Sequence, residues 1–294
     1  MFQKVADKVW FIEGLNAGRY PYSHSLFIND TTKLLIDTGI GRPIIKNLLK
    51  EFGQPEIILY SHAHEDHIYE KALFSTTARF IHELDKPAAE SKAELYRLYG
   101  IDTPEFAAML DAFLKSFHYE PLDHLQIFKD GQTFDLGTLQ VNVIHTPGHS
   151  GGHCCFEIPQ EEIIFAGDID LTTFGPWYGA LDSDIQAFEQ SIARLLQKPP
   201  KAIVTSHKGL ITDAIPDRLA RYLSKIQERE ANVLNFLAKP KTVEEMVPHA
   251  LIQGRFGEPV EYYMAAERIM LQKHLERLLN AHKVIVSDGR YQTR

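Results

Sequence analysis

Short apolar stretches over Val9–Ile12, 25–28 and Lys33–Ile36 predict three short strands at the start of the chain. Asp37-Thr38-Gly39 then turns the chain, and 43–52 has helical spacing. The continuous apolar run 57–60 predicts a buried strand, and 78–81 predicts another. Between 87 and 122 the period changes. Leu95, Leu98, Phe106, Met109, Leu110, Phe113, Leu114 and Phe117 recur three or four residues apart, which predicts a helical insert broken near 100–104. Strands return at 139–144, 155–158 and Ile163–Phe165, followed by a helix at 185–196 and a strand at Ala202–Thr205. Strands and helices in this mixed order predict a layered α/β body.

The last quarter reads differently. A long helix is expected over 218–237, then shorter apolar patterns at 243–247, 262–279 and 284–286, and a polar turn at Asp288-Gly289. Helix, helix, helix and short hairpin is the order of a winged helix, so two units are expected: 1–217 and a winged-helix-like 218–294. Charge supports the division. Residues 221–294 hold twelve Lys/Arg against nine Asp/Glu, whereas the preceding part holds 19 against 30. That tail is thinly basic for gripping phosphates, and a net charge of −8 argues against a surface devoted to nucleic acid.

Composition narrows the class. Hydrophobic residues are 44% and charged residues 24%, which excludes a disordered or fibrous chain. No apolar run approaches the roughly 18 residues of a membrane span. The N-terminal residues lack the apolar core of a secretory signal, so the cytoplasm is expected. The only cysteines, Cys154 and Cys155, are adjacent. Neighbours in sequence bridge only with strain. On a strand they point to opposite faces, so both are expected as small core residues beside His153 rather than as zinc ligands.

The sharpest chemical feature is His62-Ala63-His64-Glu65-Asp66-His67, directly after a buried strand. Fourteen histidines make a stray pair ordinary, but not this density at a strand end. Imidazole and carboxylate together suit zinc, with iron or manganese as alternatives. His62 and His64 can converge on one ion while Asp66 and His67 turn toward a second. Three further residues close later strands: His149 in His145-Thr-Pro-Gly-His149, Asp168 in Ala166-Gly-Asp168, and His207 in Thr205-Ser-His207. Each alone reads as a turn residue. Together they place every candidate just past a strand terminus, where open α/β sheets build their sites.

This set, preceded by Asp37-Thr-Gly, resembles the metallo-β-lactamase superfamily over about residues 5–210, with the motifs in order. The resemblance implies an αββα sandwich carrying one or two metal ions at the sheet edges. It implies that His62, His64 and His149 hold the first metal, that Asp66, His67 and His207 hold the second, and that Asp168 bridges both. Two divalent ions, zinc foremost, would hold a bridging hydroxide against a carbonyl. The second ion would stabilise the leaving thiolate or alkoxide, and Asp168 would take up the proton. The match is nearest to the glyoxalase II and lactonase-like branches. It departs from true β-lactamases, which commonly have cysteine where Asp168 stands, and from flavodiiron proteins, which have glutamate where His64 stands. Glu228-Arg-Glu230, Met264-Ala-Ala266 and His274-Leu275-x-x-Leu278 are similar to residues of a lactamase-like branch with a winged tail, one type of which cuts single-stranded RNA.

The leading expectation is therefore a dinuclear metallohydrolase acting on a small thioester, lactone or ester. The alternatives are a single-stranded RNA endoribonuclease using the same ions and a DNA-binding regulator with a degenerate hydrolase body. Catalytic roles are expected for Asp66 and Asp168, and for Tyr178 in the aromatic turn 174–179, where its hydroxyl would donate to a carbonyl at the mouth of the site. A rigid turn packed on the sheet is the competing reading of that segment. Tyr20, Tyr22 and His24 are placed near the same mouth, His24 as a structural residue. The insert is expected to roof the pocket or to provide a homodimer face.

Overall fold

The computed structural model describes residues 1–294. Alternating apolar residues pair into two mixed sheets. The first runs β1 (Phe2–Ala6), β2 (Val9–Ile12), β3 (Ser25–Asn29), β4 (Lys33–Ile36), β5 (Ile57–Leu59), β6 (Ala78–His82) and β7 (Gln126–Phe128), adjacent in that order. β1 to β4 are antiparallel neighbours, and β4 to β7 are parallel. Between β4 and β5 lies helix α1 (Arg42–Phe52). Between β6 and β7 lie α2 (Lys86–Glu90), α3 (Lys92–Leu98) and α4 (Pro104–Ser116), the expected insert with its break before Pro104. The second sheet comprises β8 (Thr133–Asp135), β9 (Gln140–His145), β10 (Cys154–Ile158), β11 (Ile163–Phe165), β12 (Ala202–Thr205) and β13 (Gly209–Ile211), and only β11 and β12 pair in parallel. Helix α5 (Ile185–Gln197) crosses from β11 to β12. Its N-cap Asp184 accepts from the Ala187 N–H, a bond worth about 1 kcal/mol.

The period of two assigns each strand residue to a layer. Leu26 and Ile28 of β3 and Leu34 and Ile36 of β4 face inward. They join Val141, Phe156, Ile158 and Val204 in a core between the sheets. Phe27 and Leu35 point the other way, onto Ile45 and Leu48 of α1 and Leu95, Leu110 and Leu114 of the insert. On the second sheet, Cys155, Ile164 and Ile203 meet Phe188 and Ile192 of α5. The result is the αββα sandwich. Cys154 lies in the inner core and Cys155 in the outer one, both as free thiols.

After β13 the chain forms α6 (Ile215–Phe236), α7 (Val243–Met246), α8 (Val260–Asn280) and the hairpin β14 (Val284–Ser287) with β15 (Arg290–Thr293). The expected boundary at 217/218 falls inside α6. That helix packs its first half, through Leu219 and Tyr222, on the second sheet's outer core, and its second half, through Ile226 and Val233, on α8. Tyr178 and Ile185 of the sandwich belong to this last core, so the tail is packed onto the body through shared apolar contacts. No helix is long and apolar enough to cross a membrane.

Candidate metal centre

Every metal-ligand candidate follows a strand: β5 leads to the loop His62–His67, β9 to His149, β11 to Asp168 and β12 to His207. The topology sets these termini along one edge of the sandwich, and the side chains meet there. His62, His64, His149 and Asp168 offer ligand atoms within 4.8 Å of one another, as do Asp66, His67 and His207. His149 Nε2 lies 2.9 Å from His64 Nδ1, 3.2 Å from His62 Nε2 and 3.2 Å from Asp168 Oδ2. The other oxygen of Asp168, Oδ1, lies 3.3 Å from His67 Nε2 and 3.5 Å from His207 Nε2. One carboxylate therefore spans both groups.

The surrounding hydrogen bonds fix which nitrogen is bare. His149 Nδ1 donates to the Trp177 carbonyl (3.0 Å) and His207 Nδ1 to that of Gly18 (2.7 Å). A carbonyl only accepts, so these rings carry their proton outward and a neutral ring presents an Nε2 lone pair inward. His67 Nδ1 is held by Asp37 Oδ2 at 2.8 Å. Ser61 donates to the same oxygen at 2.7 Å and can accept from His62 Nδ1 at 3.0 Å. Asp37 also accepts from the Ser61 N–H and sits at φ 59°, a left-handed conformation that costs a non-glycine residue roughly 1 kcal/mol. Its carboxylate thus reaches His67 directly and His62 through the Ser61 hydroxyl.

The donor set fits metal ions. His67 Nε2 and Asp168 Oδ1 are buried with no hydrogen-bond partner. Burial pushes His62, His64 and His149 toward the neutral form that ligates. In the second group burial opposes charge on His207, yet Asp168 and Asp66 outweigh it and lift its pKa to about 10. His67 is raised likewise, against burial, by Asp66, Asp168 and Asp37. Those carboxylates demand positive charge between them, which is what a divalent cation provides.

Several residues without a motif complete the site. His153 Nε2 accepts from the Asp168 N–H at 3.0 Å, so this buried histidine orients a ligand candidate without joining the cluster. Asp85 accepts from the N–H groups of Ala63 and Gly152 and from the Ser150 hydroxyl, tying the His62–His67 loop to the His149 loop. Glu65 points away from the ligands and is held by the phenols of Tyr20 (2.6 Å) and Tyr99 (2.5 Å). The site opens into a cavity of about 300 Å³ whose far wall includes Gln253, Tyr262 and Tyr263 of the tail.

Two expectations are corrected. Tyr178 does not reach the mouth. It is 0% exposed, hydrogen-bonded to His274 Nε2 (2.8 Å), and accepts from Arg229 Nη1 (3.0 Å). Arg229 also binds the carbonyls of Phe174 and Pro176, anchoring the turn from behind. Adjacent residues in an extended segment face opposite ways, so Trp177 lines the cavity while Tyr178 faces the tail. Of the three early candidates only Tyr20 lines the cavity. Tyr22 packs on Tyr69, and His24 accepts from the Gly14 N–H.

A histidine and carboxylate cluster of this kind, on one edge of an αββα sandwich, marks a class of folds built around metal-ligand residues. Residues 19–207 match the Metallo-beta-lactamase superfamily, and the chain belongs to that superfamily. It is 22% identical to a metallo-beta-lactamase family protein from Thermus thermophilus, with a TM-score of 0.78 over 99% of this chain and 100% of that one. It is 30% identical over 181 residues to the hydroxyacylglutathione hydrolase of Rhizobium meliloti (strain 1021), covering 61% of this chain and 58% of the relative. It is also 27% identical over 173 residues to an atrochrysone carboxyl ACP thioesterase of Pseudocercospora fijiensis (strain CIRAD86), covering 58% of this chain. That match spans about half, 49%, of the relative's own length.

Proposed function

We propose that the chain is a dinuclear metal-dependent hydrolase of a small thioester, lactone or ester. The observation that carries this reading is the bridging position of Asp168, with one oxygen toward each group of inward-facing ligand atoms. His62, His64 and His149 would hold one ion and Asp66, His67 and His207 the other. When bound, two such cations supply Lewis acidity and an attacking water whose pKa falls to about 7. The protein's part is orientation and proton handling. Outward hydrogen bonds from His67, His149 and His207 keep their lone pairs directed inward. Asp168, which lies between the two groups, would take up the proton that the water loses on adding to the carbonyl. The C–S or C–O bond then breaks, and that proton returns to the departing sulfur or oxygen. Water is consumed, and a carboxylic acid and a thiol or alcohol are released. Similarity to a hydroxyacylglutathione hydrolase and to an ACP thioesterase supports acyl transfer to water.

Residues 218–294, with their winged-helix order, serve in this reading as a wall of the cavity, which their Gln253, Tyr262 and Tyr263 support. The two buried thiols are consistent with a reducing, cytoplasmic setting. The test is turnover of a thioester, a lactone and single-stranded RNA by one zinc-loaded preparation. Ester or thioester cleavage that stops on metal removal is expected. RNA cleavage without ester cleavage would overturn the proposal.

A further inference from the structure

We infer that the acyl group taken by this site is uncharged and planar, an aromatic acyl group on a carrier without negative charge beside the scissile bond. The inference takes its chemistry from the hydrolase reading and adds what the cavity selects.

Charge is the first argument. The cavity lining includes Glu65, Asp66, Asp168 and Asp170 but no lysine or arginine. The cation anchored behind the wall, Arg229, is buried with its donors directed at two backbone carbonyls and the Tyr178 hydroxyl, so it does not serve the interior. Arg19, Lys208 and Arg255 follow or precede lining residues in sequence, but they are exposed and outside the lining. Away from the two ions that Asp66 and Asp168 would hold, a substrate carboxylate or phosphate would lose its hydration with no lysine or arginine to replace it, beside Glu65 and Asp170.

Shape is the second argument. From the ligand His64 the wall continues as aromatic rings. Trp177 and Tyr99 flank His64 with centroids at 5.3 and 5.5 Å. Tyr262 stands edge-on to Tyr99 at 5.5 Å and 87°, and Tyr263 edge-on to Tyr262 at 5.4 Å and 87°. Edge-to-face rings of this kind present slots that a flat ring fills. Tyr263 is fixed in this wall by its backbone carbonyl, which accepts from Gln253 Nε2 at 2.6 Å. A cavity of about 300 Å³ is at the small end of ligand sites and suits an acyl group of one or two rings. Tyr20 and Tyr99 are immobilised by Glu65, so much of the wall is set before substrate arrives.

The experiment compares three thioesters on the zinc-loaded full chain: benzoyl on a neutral thiol, benzoyl on glutathione, and cyclohexanecarbonyl on the neutral thiol. Binding is read separately, by quenching of Trp177 fluorescence with a neutral, non-hydrolysable aryl ketone in a Trp10→Phe background. The neutral benzoyl thioester should exceed both others in kcat/KM by at least about tenfold. Tyr262→Leu should reduce that preference for the flat ring and weaken quenching, while the circular dichroism spectrum stays unchanged. Equal or faster turnover of the glutathione or the cyclohexyl thioester would overturn the inference and leave the hydrolase reading standing. Quenching without turnover of these thioesters, a benzoate ester or an aromatic lactone would support the fit of a flat neutral ring and overturn the hydrolase reading. Neither turnover nor quenching would overturn both.

Discussion

The two ends of the sandwich each bury a carboxylate, and the two are partnered in opposite ways. At the far end Asp30, just past β3, reaches across to the second sheet. Its Oδ2 accepts from the N–H groups of Thr138 and Leu139 and from the Thr138 hydroxyl, and its Oδ1 accepts from Lys8 at 2.6 Å. Burial opposes its ionisation, but Lys8 and these donors outweigh burial and hold its pKa well below the usual range. At the near end Asp168 also has a depressed pKa, through His207, His67 and His149 against burial, yet its Oδ1 has no hydrogen-bond donor. A buried carboxylate surrounded by N–H and O–H groups is a structural cross-link. One surrounded by imidazole nitrogens directed at it has the surroundings a metal ligand needs. Burial and pKa direction do not distinguish the two; the identity of the neighbours does.

Substitutions at the two ends should therefore separate activity from stability. Asp168→Asn removes the bridging charge while keeping the shape. It should lower kcat/KM by at least about 10³-fold and reduce bound zinc from two ions per chain, by metal analysis, with little change in Tm of the metal-free protein. Asp30→Ala should do the reverse. It leaves buried donors unmet and should cost about 3 kcal/mol in urea unfolding, with zinc content and kcat retained. That stability gap also carries a pH signature. Asp30 has a folded pKa below its unfolded one, so its contribution is present above about pH 4 and is lost as pH falls further. The gap between wild type and variant should shrink below pH 4, and a gap that widened would contradict the assignment. The smallest effect is expected at Tyr178→Phe. With the hydroxyl directed at His274 and Arg229, kcat/KM should stay within about twofold and stability should fall by about 1 kcal/mol.

Legibility in the sequence followed the same division. The converging ligand candidates were readable because each is a strong metal-binding residue type placed at the end of an apolar strand, and the strands at Val9–Ile12, Ile163–Phe165 and Ala202–Thr205 have clear apolar runs. β7 (QIF), β8 (TFD) and β13 (GLI) interrupt three residues with a polar or glycine position and so leave no apolar run, and β1 (FQKVA) places polar residues at its centre. The substrate side of the cavity was not readable. Tyr20, Tyr99, Trp177, Gln253 and Tyr262 come from five separated segments, and each alone looks like an ordinary core or surface residue. Tyr178 was misplaced because composition marks an aromatic turn but not which of two neighbouring rings faces inward. His153 and Asp85 act by binding backbone N–H groups of the ligand loops, and such a role leaves no spacing to find.

The central claim is that one carboxylate joins two cation sites. Anomalous scattering at the zinc edge from crystals of the zinc-loaded protein tests it most directly. The account predicts two peaks, one among His62, His64 and His149 and one among Asp66, His67 and His207, with the Asp168 carboxylate between them. A single peak, or zinc bound elsewhere with the Asp168 oxygens facing no ion, would contradict it.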